Sequence, residues 1–192
     1  MKLTSAISHA IFATLLICIF SPSLKAELFD VTVFGGAQNP GKLTFETAPG
    51  SANNFIQTFD PHTFGVMGLR FGHGGLLGGE HTISYSPNFL EGGTHAVNLH
   101  SNLRVMPTFA FVKPYATAGL GAIFTGGNTL ADFGTKFGFN YGGGVTLSGG
   151  PLGVNLDVRG YTIPKVTIEG FTGQQRLDFI QASVTVPRAF FD

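Results

Sequence analysis

Between residues 29 and 186 the chain repeats one pattern, an alternation of apolar and polar side chains, in eight separate runs. Residues 97–105 show it plainly: Val97, Leu99, Leu103 and Val105 fall on one parity, and Asn98, His100, Asn102 and Arg104 on the other. On a helix, residues two apart point about 200° apart around the axis; on a strand they share a face. The other runs cover residues 29–34, 62–72, 77–86, 112–125, 136–147, 152–161 and 179–186. No helical period competes with them, so the chain is all-β.

The connections narrow the architecture. Gly, Pro and Asn mark most of the breaks. Long connections follow the first, third, fifth and seventh runs (38–61, 87–93, 126–132 and 164–175), and short ones follow the second, fourth and sixth (73–75, 106–107 and 148–151). An even number of amphipathic strands with long loops at one end and tight turns at the other is the plan of a barrel crossing a bacterial outer membrane. About twenty residues per strand and connection accommodate a tilted spanning strand of ~9–11 residues. The expectation is an eight-stranded antiparallel up-and-down transmembrane β-barrel over residues 27–192, with periplasmic termini and external long loops.

Residues 1–26 read as a cleaved signal peptide. Lys2 supplies a positive start, residues 10–20 are apolar apart from Thr14, and Leu24-Lys25-Ala26 ends in a small residue before Glu27. Eleven apolar residues are too few for a helix to cross a ~30 Å hydrocarbon core. Cys18, the one cysteine, lies inside this segment behind a bulky Ile17, which disfavours lipidation. The mature chain then holds no thiol, and no disulfide staples it. Losing Lys2 and Lys25 leaves 9 basic against 11 acidic residues, a balance unsuited to nucleic acid.

A closed barrel satisfies every backbone hydrogen bond between strands, and lipid then requires an apolar outer parity. Eight strands enclose just enough space for side chains to fill. Charges on the inner parity must therefore pair, because a lone buried charge is costly. Arg70, Glu80, His100, Arg104, Lys113, Lys136, Asp157 and Arg159 form the expected lumen network, with Asp30 as a further acid. Glycine, at 28 residues, leaves room beside these long side chains. A soluble, lipocalin-like barrel would alternate equally but turn its apolar parity inward. With only 11% charged residues, a solvated exterior is the poorer fit.

The runs Phe137-Gly-Phe-Asn-Tyr-Gly-Gly-Gly-Val145, Lys113-Pro-Tyr-Ala-Thr-Ala-Gly-Leu-Gly121 and Val154-Asn-Leu-Asp-Val-Arg-Gly-Tyr161 resemble strands of small outer-membrane barrels of the OmpA/OmpX/opacity-protein group. The resemblance spans nearly all of residues 27–192 and carries no catalytic signature. It implies outer-membrane localisation and a monomer in membrane lipid. It also implies insertion by the barrel-assembly machinery through a terminal aromatic, Phe190 or Phe191, although Asp192 follows and Pro187 interrupts the last run. The expected role is structural or surface-interactive (envelope integrity, adhesion or a narrow pore), without catalysis or cofactor. The connection from Gln38 to Pro61, with Phe45, Phe55 and Phe59, is the candidate contact for a surface ligand.

Barrel enzymes that modify lipid A are the alternative. The lipid A deacylase pattern His-x-Ser-Asn puts histidine and serine on one outer face. Here the order is His100-Ser101-Asn102, so the two point to opposite faces. His62, His73, His81 and His95 show no metal-ligand spacing.

Overall fold

The computed structural model describes residues 29–41, 43–47, 56–59, 62–107, 111–127, 132–149, 152–167, 171–172 and 175–189. The signal segment and the terminal Phe190 and Phe191 lie outside these. The described residues form strands and connections, with no helix. Eight strands close into an antiparallel barrel: β1 (Asp30–Pro40), β4 (Phe64–Gly74), β5 (Leu77–Pro87), β6 (His95–Val105), β7 (Val112–Gly126), β8 (Thr135–Gly149), β9 (Leu152–Val166) and β11 (Gln175–Ala189). All eight alternating runs are barrel strands, and β1 pairs with β4 on one side and β11 on the other to complete the cylinder.

Three short strands stand beyond the rim at the long-loop end. β2 (Leu43–Thr47) and β3 (Ile56–Phe59) form a hairpin within the β1–β4 connection, and β10 (Phe171–Thr172) joins the edge of β2. The long connection is thus partly strand. It also starts later than the sequence implies: Gln38 belongs to β1, with its side chain fully buried in the lumen. The side chains of Phe45, Phe55 and Phe59 lie outside the described residues.

Pro187 does not end the last strand. It pairs with Thr32 of β1, past Thr185, the last β11 residue paired with β9. The strand continues there on one side only, an edge position that proline tolerates.

The parity question has a clear answer. Val33, Leu103 and Val158 are 65%, 60% and 56% exposed on the outer wall, while Arg70 and Arg159 are 2% and 0% exposed inside. The barrel is therefore apolar outside and polar within, the reverse of a soluble barrel. Inward glycines make that interior possible at two close approaches. A Cβ on Gly72 would fall within 2.6 Å of Asp30 and Arg104 atoms, and one on Gly142 would lie 2.9 Å from Cγ of Arg159.

Candidate functional site

The lumen has two layers. Toward the short-turn end, strands β4, β5 and β9 bring Arg70, Glu80, Asp157 and Arg159 together. Arg159 faces Glu80 with both Nη groups, at 2.5 and 3.2 Å, and donates from Nε to Asp157 Oδ1 at 2.9 Å. Arg70 donates from Nη2 to Asp157 Oδ1 and to Ser183 Oγ, each at 2.9 Å, and its guanidinium lies 4.2 Å from the centroid of the Phe34 ring. The Tyr115 hydroxyl donates to Asp157 Oδ2 at 2.5 Å. Two cations and two anions thus neutralise one another among charge-assisted hydrogen bonds. Because Asp157 and Arg159 are two apart on β9, the alternation itself sends both inward.

Arg104 pairs separately with Asp30 at 3.0 Å, near the short-turn end. The other three residues of the expected network behave differently. His100 is buried but meets the Tyr161 ring edge-on at 5.2 Å, above the ion pairs. Lys113 is half-buried and joins none of the ion pairs among the described residues. Lys136 points away from the network: its ammonium donates to Thr167 Oγ1 at 3.1 Å, at the exposed long-loop rim. The register explains this, since Lys136 pairs with Ile123, three residues from the end of β7.

Above the charges sits an apolar layer that the sequence reading did not anticipate. Phe64, Ile123, Tyr161, Ile163, Leu177 and Phe179 face inward and pack as one cluster. The Tyr161 and Phe179 rings stack with centroids 4.7 Å apart. The β5–β6 connection closes this layer from above. Asn88 and Leu90 take left-handed backbone angles (φ 55° and 63°), a conformation uncommon for a non-glycine residue. The bend turns Phe89 and Leu90 into the barrel, where Phe89 is fully buried with its ring edge against Phe64 and Phe179. Phe133, from the β7–β8 connection, joins the same cluster. A strip of amides and hydroxyls runs beside it: Gln38 donates to Gln181 at 2.8 Å, and Ser86 to Gln38 at 2.8 Å.

At this level the alternation changes sign. On β11, Arg176 and Asp178 point out while Leu177 and Phe179 point in; on β9, Thr162 lies outside Tyr161 and Ile163. Below it, β11 presents Ile180 and Val184 outward and Gln181, Ser183 and Thr185 inward.

The outer wall also carries a polar pairing toward the short-turn end. Across β5 and β6, His81 Nδ1 lies 3.0 Å from Ser101 Oγ, and His81 stacks on His73 with centroids 5.7 Å apart. Sequence adjacency set Ser101 beside His100. The β5–β6 register sets it opposite His81 instead, and only a known register could have revealed that.

A closed eight-stranded antiparallel barrel, apolar outside and polar within, is the fold of the small outer-membrane barrels. No family model matches the chain, and no curated protein sequence does. Among solved structures it is similar to Neisserial surface protein A (NspA), at 13% identity over 86% of this chain and 100% of that one, with a TM-score of 0.60. It is also similar to Ail, the attachment invasion locus protein of Yersinia pestis (8% identity, 83% and 99% coverage, TM-score 0.46), and to the outer membrane enzyme PagL (14%, 83% and 98%, 0.40). At such identities the shared property is the fold.

Proposed function

We propose that the protein is a monomeric outer-membrane barrel with a sealed lumen, inserted by the barrel-assembly machinery, that acts through its surfaces and not through a pore, a catalytic site or a cofactor. The long-loop end faces outward, and the β2–β3–β10 extension is the part placed to meet a surface ligand. The observation that carries this reading is the inverted barrel: a mostly apolar wall around a filled interior that holds the buried charges. Such a wall is stable in lipid and is an aggregation hazard in water.

Val158→Arg separates this reading from a soluble barrel. Val158 is on the outer wall, with Tyr141, Gly143, Ile180 and Ala182 as outward neighbours. At the middle of a bilayer an arginine there costs about 2–4 kcal/mol, whereas an exposed surface substitution in water stays within about 0.5 kcal/mol. The expected result is a lowered urea midpoint for folding into phospholipid vesicles, and wild-type protein in the outer-membrane fraction with heat-modifiable migration on gels. Wild type in the soluble fraction, or a neutral Val158→Arg, would sink the reading.

The His81–Ser101 pair favours a second reading, an enzyme acting on membrane lipid from the barrel's outer face. Serine hydrolysis also needs a group to orient the base and donors for an oxyanion. His73 stacks on His81 and does not hydrogen-bond it, and Glu80 points into the lumen. Lipid mass spectrometry of cells with and without the protein decides: a scaffold leaves acyl composition unchanged. An acyl loss that disappears with Ser101→Ala would establish the enzyme.

A further inference from the structure

The long-loop ends of β8, β9 and β11 bring together three cations that the ion-pair network does not use. β9 bulges where Val166 pairs with Gln175 and Ile163 with Leu177, which puts Arg176 opposite Pro164 and Lys165. Lys136 of β8 reaches the same rim through its 3.1 Å bond to Thr167, two residues past Lys165. Lys165 is exposed and has no ion pair among the described residues. Among the described residues one carboxylate stands in the group: Asp178 accepts from Arg176 Nε at 2.9 Å and from the Thr162 hydroxyl at 2.6 Å. With Asp178 counted against Arg176, the described residues of this group retain two positive charges, on Lys136 and Lys165.

The position of these charges gives their meaning. Beside and below them the outer wall is apolar and aromatic: Phe137 and Phe139, which is in register with Thr162, stand edge to face at 5.0 Å, Tyr141 leans over Gly160, and Ile180 is 60% exposed. Along β9 and β11 the alternation changes sign here, with Arg176, Asp178 and Thr162 outward above and only apolar side chains or glycine outward below among the described residues. That reversal marks where the strands leave hydrocarbon. A cation cluster on this line meets phosphates, while the wall beneath meets acyl chains.

We infer that Lys136, Lys165 and Arg176 form a binding site for the phosphorylated headgroup of an outer-leaflet glycolipid, whose acyl chains lie along Phe137, Phe139, Tyr141 and Ile180. The site rests on the outer-membrane reading and gives it a specific lipid partner. Arg176 supplies planar donors and the two lysines mobile point charges, a combination suited to more than one phosphate on a sugar scaffold.

The test uses the folded full chain in phosphatidylcholine nanodiscs, titrated with diphosphorylated lipid A, its dephosphorylated counterpart and inorganic phosphate. Wild type should prefer the diphosphorylated lipid by about tenfold or more, each basic residue near an anionic headgroup contributing about fivefold before Asp178 offsets one. Combined Lys136→Gln, Lys165→Gln and Arg176→Gln should abolish that preference. Lys165→Gln alone, which breaks no ion pair among the described residues, should reduce it several-fold. Lys113→Gln, at the opposite end of the barrel, should leave it intact. Equal binding of the dephosphorylated lipid, an undiminished preference in the triple variant, or an equal loss with Lys113→Gln would each overturn the proposal. So would full competition by inorganic phosphate, which would make this a site for a soluble anion. The outer-membrane reading fails by a different readout, since a soluble barrel would not enter nanodiscs at all.

Discussion

Replacing Arg159 with alanine should destabilise the folded barrel by about 3–5 kcal/mol, the largest single effect expected in the charged layer. The guanidinium is fully buried and serves two carboxylates, Glu80 through both Nη groups and Asp157 through Nε. Without it, Glu80 keeps no cation in direct contact, only the longer-range attraction of Arg70 and Arg104, while Asp157 retains Arg70 at 2.9 Å. The cost is that of an uncompensated buried anion more than of a lost attraction. The double variant Arg159→Met with Glu80→Gln should therefore recover most of the loss, because removing both members of a buried pair is close to neutral. Urea unfolding in vesicles, followed by heat-modifiable migration, measures both. If Arg159→Ala costs less than about 1 kcal/mol, a surface-pair magnitude, water must enter the layer freely and the lumen is not sealed there.

That layer was legible in the sequence because charge on a strand's inner parity has so few solutions. Asp157 and Arg159 are two apart in an otherwise apolar-alternating run, and Arg70 and Glu80 occupy equivalent positions on β4 and β5. A lipid-facing barrel must bury all four, and once buried they must pair. Strand number and loop alternation were readable for the same reason: lipid and closure allow few alternatives to an even, antiparallel, period-two chain.

The apolar layer was hidden by the same rule that revealed the charges. Where the strands emerge from lipid, the outer parity turns polar and the inner one apolar. Leu177 and Phe179, flanked by Arg176 and Asp178, then read as an ordinary amphipathic stretch without stating which side is which. Residues 62–72 carry apolar side chains on both parities at this end, with Phe64 and Val66 inside and Met67 outside. Phe89 and Leu90 escape a reading by alternation because they sit in a connection bounded by Pro87 and Gly92. Two bulky apolar residues in an otherwise polar turn were the available signal. Lys136 departs from the expected network because parity gives direction and not depth: its position is on the inner parity, but so near the rim that its ammonium bonds Thr167 there.

The two layers act in series, and that yields the prediction with the most distinctive outcome. Wild-type protein in a planar bilayer should show no steady conductance, because an ion from the long-loop end meets Phe89, Phe133 and Phe179 before it reaches the charges. Phe89→Ala removes the centre of the upper layer. A buried Phe→Ala change costs about 3–5 kcal/mol in a core that cannot collapse. Here the left-handed Asn88 and Leu90 hold the bend that delivers Phe89, and relaxing that strain returns part of the cost. The variant should fold with a lowered midpoint, yet conduct no more than wild type, since Arg159, Glu80, Asp157 and Arg70 still fill the lumen below. Opening the lower layer alone, with Arg159→Ser and Glu80→Ser, should also leave the barrel closed, held by the aromatic layer. Only the combination should give discrete channel openings. If Phe89→Ala conducts by itself, the charged layer is permeable and the aromatic layer alone is the gate. If the paired serine variant conducts by itself, the aromatic layer does not seal. Silence of the combined variant, with folding confirmed on gels, would mean that the strip of Gln38, Gln181 and Ser86 blocks passage as effectively as either layer.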